Sequence, residues 1–139
     1  MNLLPRVDLL ALLVADQIYR DQGSNKHIIA GTFHQLNIST FPAVFHKSIG
    51  VFIKLGSFAG SVDVGLVFEE VATGETLLRT RASGVSCQDR DCPLELALEV
   101  PPLPLPRPGR YAFKLLVNGN VIGTAEIDVR RLAALQAGP

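Results

Sequence analysis

The sequence has no surplus of charge of either sign: 13 lysines and arginines balance 13 aspartates and glutamates, for a formal net charge of zero. A chain that grips nucleic acid through its phosphates ordinarily carries a basic excess, and one that lies on a membrane surface carries a polybasic stripe. The balance therefore excludes both partner classes and leaves a protein partner, or a second copy of the chain, as the expected one. Cysteine is scarce as well. Two residues, Cys87 and Cys92, cannot build a disulfide framework, and no second cysteine pair exists to complete a zinc site.

Long apolar runs are missing too. The stretch from Leu9 to Ala15 falls far short of the roughly 20 residues a membrane-crossing helix needs. Pro5, Arg6 and Asp8 interrupt the chain before it, so the N-terminal segment reads as structure and not as an export signal. A reducing cytoplasm is the expected compartment. Phosphate loops, dinucleotide fingerprints and paired-histidine zinc helices are all lacking. Gly56-Ser57-Phe58-Ala59-Gly60 has the glycine spacing of a nucleophile elbow but carries phenylalanine where the nucleophile would stand. No enzyme motif survives, and no cofactor or metal is expected.

What is present is the material for a core. Hydrophobic residues make up 47% of 139 residues and charged ones 19%, which suits one folded domain over residues 1–139 with a short tail over 131–139. Apolar and polar residues alternate with period two through most of the chain. Val7 to Tyr19 and HIIAGTFHQL (27–36) form a first hairpin across the turn-rich Asp21 to Asn25, and Ile49, Val51, Ile53 and Leu55 mark a third strand. Val62, Val64, Leu66 and Phe68 mark a fourth, which turns through Ala72 to Glu75 into a fifth. Leu94, Leu96, Leu98 and Val100 mark a sixth. Five prolines then crowd between Pro101 and Pro108, where missing amide donors forbid a central strand and permit an extended crossover at a sheet edge.

The last hairpin runs from Gly109 through Asn118-Gly119-Asn120 to Arg130. A strict two-residue turn would mix its apolar and polar rows. Correct parity calls for a three-residue loop or a bulge near Gly123, so that Leu115 faces Gly123, Phe113 faces Ala125 and Tyr111 faces Ile127. The expected fold is all-β, an antiparallel two-sheet sandwich of about eight strands, immunoglobulin-like or C2-like, with a closed eight-stranded barrel as the alternative.

Three local patterns, Ala15-Asp16-Gln17, Gly31-Thr32-Phe33 and Phe41-Pro42-Ala43-Val44, together with the closing Pro108-Gly109-Arg110-Tyr111-Ala112-Phe113, resemble those of a family of small uncharacterised bacterial proteins, a domain of unknown function. The resemblance implies a β-sandwich. It supplies no activity and no binding residues to carry over.

Candidate site residues come in four groups. His34 and His46 could meet across the Asn37 to Lys47 connection as a general base or ligand pair, whereas His27 and His34, seven apart on one strand, point to opposite faces. Arg79 and Arg81 share a face of the fifth strand and could hold a carboxylate or phosphate, against the plainer reading of a solvent row that guards the sheet. Cys87 and Cys92, five apart in SCQDRDC, could act as a redox pair, against the reading of quiet thiols, and Asp89 and Asp91 beside them are too few for calcium. Finally, Phe52, Val67, Leu116 and Ile122 sit on otherwise polar rows. Together with a first strand apolar on both faces, they are candidates for an interface with a protein partner or in a homodimer. The expected function is accordingly a non-catalytic binding module, with a ligand- or metal-binding enzyme using His34 and His46 as the alternative.

Overall fold

A computed structural model of the chain describes residues 6–87 and 92–132. Among them the chain is all β, with eleven strands and no helix. The first six are β1 (Leu9–Arg20), β2 (His27–Thr32), β3 (Gln35–Ile38), β4 (Ala43–Phe45), β5 (Ile49–Leu55) and β6 (Ser61–Glu70). The remaining five are β7 (Thr76–Ser86), β8 (Leu94–Val100), β9 (Leu103–Leu105), β10 (Gly109–Val117) and β11 (Asn120–Arg131). They form a four-stranded sheet in the order β2-β1-β5-β8, a five-stranded sheet in the order β3-β11-β10-β6-β7, and a β4-β9 ribbon.

The alternation explains the layers. Val62, Val64, Leu66 and Phe68 of β6 and Tyr111, Phe113, Leu115 and Val117 of β10 are buried on one face of the larger sheet. They share one cluster with Val51, Ile53 and Leu55 of β5 and with Ile127 and Val129 of β11. Phe68 is the hub. It stacks on Tyr111 with ring centroids 5.3 Å apart and tilts against Phe113 at 4.8 Å.

Eleven strands replace the expected eight, and each difference has a local cause. The segment 27–36 is two strands: β2 follows β1 through the left-handed Gly31, φ 74°, as far as Thr32 opposite Ala15, and β3 then pairs elsewhere. After that break β3 runs parallel to β11, so the larger sheet is mixed and not purely antiparallel. The proline crossover contributes β9, where Pro104 pairs opposite Val44 in the two-stranded ribbon and no longer sheet needs its missing amide. The closing hairpin takes the second of its two allowed forms. Its turn is two residues, Asn118 and Gly119, both left-handed, and a bulge between Leu115/Gly123 and Leu116/Val121 restores the parity. Leu115 pairs with Gly123, Phe113 with Ala125 and Tyr111 with Ile127, as the patterning required. Of the tail over 131–139, residues 133–139 lie outside the described residues.

A buried corner fixes the entry to β10. The Tyr111 hydroxyl donates to the Arg107 carbonyl at 2.5 Å and accepts from the Arg107 amide at 3.3 Å. The Arg107 guanidinium is hydrogen-bonded to Glu70, which is only 2% exposed and also accepts from the Thr73 hydroxyl at 2.8 Å. A buried carboxylate is tolerated where a cation and a donor satisfy it. Burial pushes the Tyr111 phenol above its ordinary value, against the opposing pull of its backbone hydrogen bond.

The four-stranded sheet bends back on itself. β1 pairs with β5 only as far as Ala15, and from there to Arg20 it pairs with β2. The β1-β2 arm then lies over the outer side of β5. A Cβ placed on Gly50 would come within 3.0 Å of the Ile18 side chain, so glycine there lets the arm lie down.

Candidate functional site

The outer side of the larger sheet carries a concave groove along β6. Its residues stand out of the core because they alternate with the buried row: Gly65 and Val67 form the floor, between Val64, Leu66 and Phe68 of the interior. Register fixes the walls. Arg81 of the edge strand β7 lies opposite Gly65 and Arg79 opposite Val67, while on the other side Leu116 of β10 lies opposite Gly65; Lys114, opposite Val67, stands beside the groove. Together with Asp63, Asn118 and Gly119 this arrangement leaves an open cleft of about 640 Å³.

The charges in the groove are unequally engaged. Asp63 opposes a bulge in β7 and holds it, accepting from the Gly84 amide at 3.1 Å and from the Arg81 guanidinium at 3.2 Å. These hydrogen bonds, the Gly84 amide first, keep the Asp63 carboxyl below the usual aspartate range. Lys114 pairs with Glu69 at 2.6 Å. Arg79 is exposed and has no carboxylate among the described residues within ion-pair distance. One guanidinium thus stands uncommitted beside an apolar strip, an arrangement suited to a ligand with a carboxylate or phosphate next to an apolar group.

The remaining candidates are dispersed. His34 and His46 are both exposed, and neither lines this groove or the smaller cleft of about 250 Å³ between Asp16 to Ile18, Ser48 to Gly50 and Ala97 to Glu99. His34 instead serves through its backbone, its carbonyl accepting from the Asp128 amide at 2.8 Å. The Cys87 thiol donates to the Cys92 carbonyl at 3.1 Å, while Asp89 and Asp91 lie outside the described residues. No group of three or more histidine, cysteine or carboxylate residues suited to a metal occurs among the described residues.

The four interface candidates separate. Leu116, half-buried, and Val67, 9% exposed, line the groove. Phe52 is 6% exposed and lies beneath the chain's own arm, and Ile122, turned by the bulge, packs against the core. Sequence reasoning passed over Gly65, Asp63 and Lys114. Gly65 had a legible signal, since a glycine in the middle of an alternating strand and on its polar row leaves a gap between neighbouring side chains.

Residues 10–130 match the model of a family of unknown function, DUF6941. The chain belongs to that family. No curated protein matches the sequence. Among solved structures, this DUF6941 chain is similar to the Pseudomonas fluorescens alkylpurine DNA glycosylase AlkC bound to DNA containing an abasic site analog. The identity is 16%, the TM-score 0.48, and the match covers 89% of this chain but only 30% of that one. At that level the likeness transfers no role.

The exclusion of nucleic acid nonetheless has to be withdrawn, because it rested on net charge alone. Net charge is a sum over the whole surface. A neutral total coexists here with Arg79, Arg81 and Lys114 on one sheet face. No helix among the described residues is long and apolar enough to cross a membrane.

Proposed function

We propose that this protein is a non-catalytic recognition module with an immunoglobulin-like architecture, binding another protein through the outer face of β7, β6 and β10. The architecture is supported by the corner at Tyr111, whose hydroxyl bonds back to the chain four residues upstream at the start of a buried strand, as in many immunoglobulin-like sandwiches. Further support comes from β3 running parallel to the last strand of the sheet. On this reading, residues 1–139 act as one domain.

The observation that carries the binding role is the groove itself: uncommitted Arg79 beside Val67 and Leu116 on an otherwise structured face. Interfaces draw their energy from such mixed sites, where an arginine stands next to apolar contact area. The four-stranded sheet offers less, because its own arm covers Phe52. Neither His34 nor His46 lines either of the two clefts described, so those clefts lend the enzyme alternative no support.

A photoreactive amino acid at position 116 tests the proposal in the cell of origin, with one at exposed Ile28 on the other sheet as the control. Discrete adducts with a protein from position 116 and none from position 28 are expected. Equal labelling from both positions, or none from position 116, counts against a recognition face here.

A further inference from the structure

Six glycines lie within described strands, and five have a reason in the fold: Gly31, Gly84 and Gly109 adopt positive φ, and Gly50 and Gly123 are overlain by side chains. A Cβ at Gly123 would come within 2.3 Å of Leu9, and one at Gly50 within 3.0 Å of Ile18. Gly65 has neither reason. Its φ is not positive, and a Cβ there would meet the Leu116 Cβ and the Thr80 carbonyl oxygen at 3.8 Å each, an ordinary contact.

Glycine in the interior of a central strand loses cross-strand packing and carries a larger entropy cost than any other residue. β6 lies between β10 and β7, so Gly65 bears that cost with no return in the isolated fold. A benefit follows if something outside the fold approaches the backbone there. The notch opens between Arg81 and Leu116, one pleat from Val67 and Arg79.

Building on the recognition reading above, we infer that the groove takes an extended acidic segment of a partner protein, whose backbone passes close over Gly65 and whose carboxylate docks on Arg79. Charge complementarity selects this occupant. Arg81 is held by Asp63 and Lys114 by Glu69, which leaves a single guanidinium to be matched by a single carboxylate. A nucleic-acid strand fits less well: its repeating phosphates would run against Asp63, and no aromatic ring lines the groove to stack a base. An apolar side chain of the segment would rest on Val67 and Leu116, and the close approach at Gly65 brings both contacts within reach together.

The test is selection of a displayed library of random nonapeptides on the full-length chain, followed by affinity measurements with Gly65→Val and Arg79→Gln. Enriched peptides should carry an aspartate or glutamate near an apolar residue. Gly65→Val fills the notch with a good strand former and should weaken the selected peptide about tenfold or more, while the thermal unfolding midpoint holds or rises. Arg79→Gln should cost about tenfold, the scale of one hydrogen bond to a charged group.

Enrichment of neutral or basic peptides, no enrichment, or unchanged affinity in Gly65→Val overturns the inference. So does displacement of the peptide by single-stranded oligothymidine, which would hand the groove to nucleic acid. Protein adducts at position 116 that persist in Gly65→Val would defeat this inference and leave the recognition face standing. Loss of all adducts from the unaltered protein would defeat both.

Discussion

The His27 ring stands edge-on over Phe52, with centroids 5.5 Å apart and planes at 64°, and its Nδ1 lies 2.7 Å from Glu95 Oε1. His27 belongs to β2 and Glu95 to β8, the two outer strands of the four-stranded sheet. In a flat sheet those strands would be about 14 Å apart, three spacings of about 4.8 Å. The contact exists because the β1-β2 arm folds over the outside of β5, so one imidazole pins the arm and covers Phe52.

Replacing His27 by alanine should therefore release the arm without unfolding the core. The lost edge-to-face contact is worth about 1 kcal/mol and the hydrogen bond to a carboxylate about 2 kcal/mol, with the total reduced by solvent around the partly exposed Glu95. Amide exchange should rise from Ile18 to His27 and stay slow in β6 and β10. Uniform acceleration in both sheets would show that the arm is not a separable unit.

That arm shows where the sequence was legible and where it was not. The apolar rows of β5, β6, β8 and β10 were readable because alternation records which face is buried. The parity of the last hairpin was readable for the same reason, since a slip would have turned Phe113 outward. What covers an outer face is not recorded in that way. Phe52 on the polar row of β5 looked like an interface residue because its cover, His27, comes from a hairpin 25 residues away whose bend at Ala15 to Asp16 leaves no periodic trace. The groove was half legible: Arg79, Arg81, Val67 and Leu116 were separate observations, and only the register across β7, β6 and β10 brings them around Gly65.

The Tyr111 corner sets a second expectation. Tyr111→Phe removes a hydroxyl that donates to the Arg107 carbonyl and accepts from its amide, and leaves both backbone groups partly buried without a partner. Destabilisation of about 1–3 kcal/mol should appear in denaturant unfolding, with the slope against denaturant unchanged. The folded phenol titrates above its unfolded value of 10.0, so this contribution is complete below that pH and is lost as the pH rises through the folded value. Ultraviolet titration should contain a phenol step above 10.0, and Tyr111→Phe should remove it.

Asp63 gives the opposite sign at the acid end. Its carboxyl is held below 3.8 by the Gly84 amide and by Arg81, so the bulge in β7 is supported above that pH and loses its clamp as the pH falls through the lowered folded value. The Gly84 amide proton should shift with a midpoint below 3.8 in a titration followed by nuclear magnetic resonance. A midpoint at or above 3.8 would mean that the carboxylate does not hold the bulge in solution.

The same substitution at two glycines separates a residue the fold needs from one it does not. Gly50→Val places a branched side chain where the Ile18 Cδ1 already sits 3.0 Å from the first added carbon, so the Ile18 side chain must give way. Overpacking of this kind costs about 1–3 kcal/mol, and the midpoint of thermal unfolding should fall by several degrees. Gly65→Val adds its side chain to open space with ordinary contacts at 3.8 Å and gains strand propensity, so its midpoint should hold or rise by a few degrees. Paired thermal melts decide the matter: a fall at Gly65 as large as the one at Gly50 would mean that the notch is structural, and the fold itself would then account for both glycines.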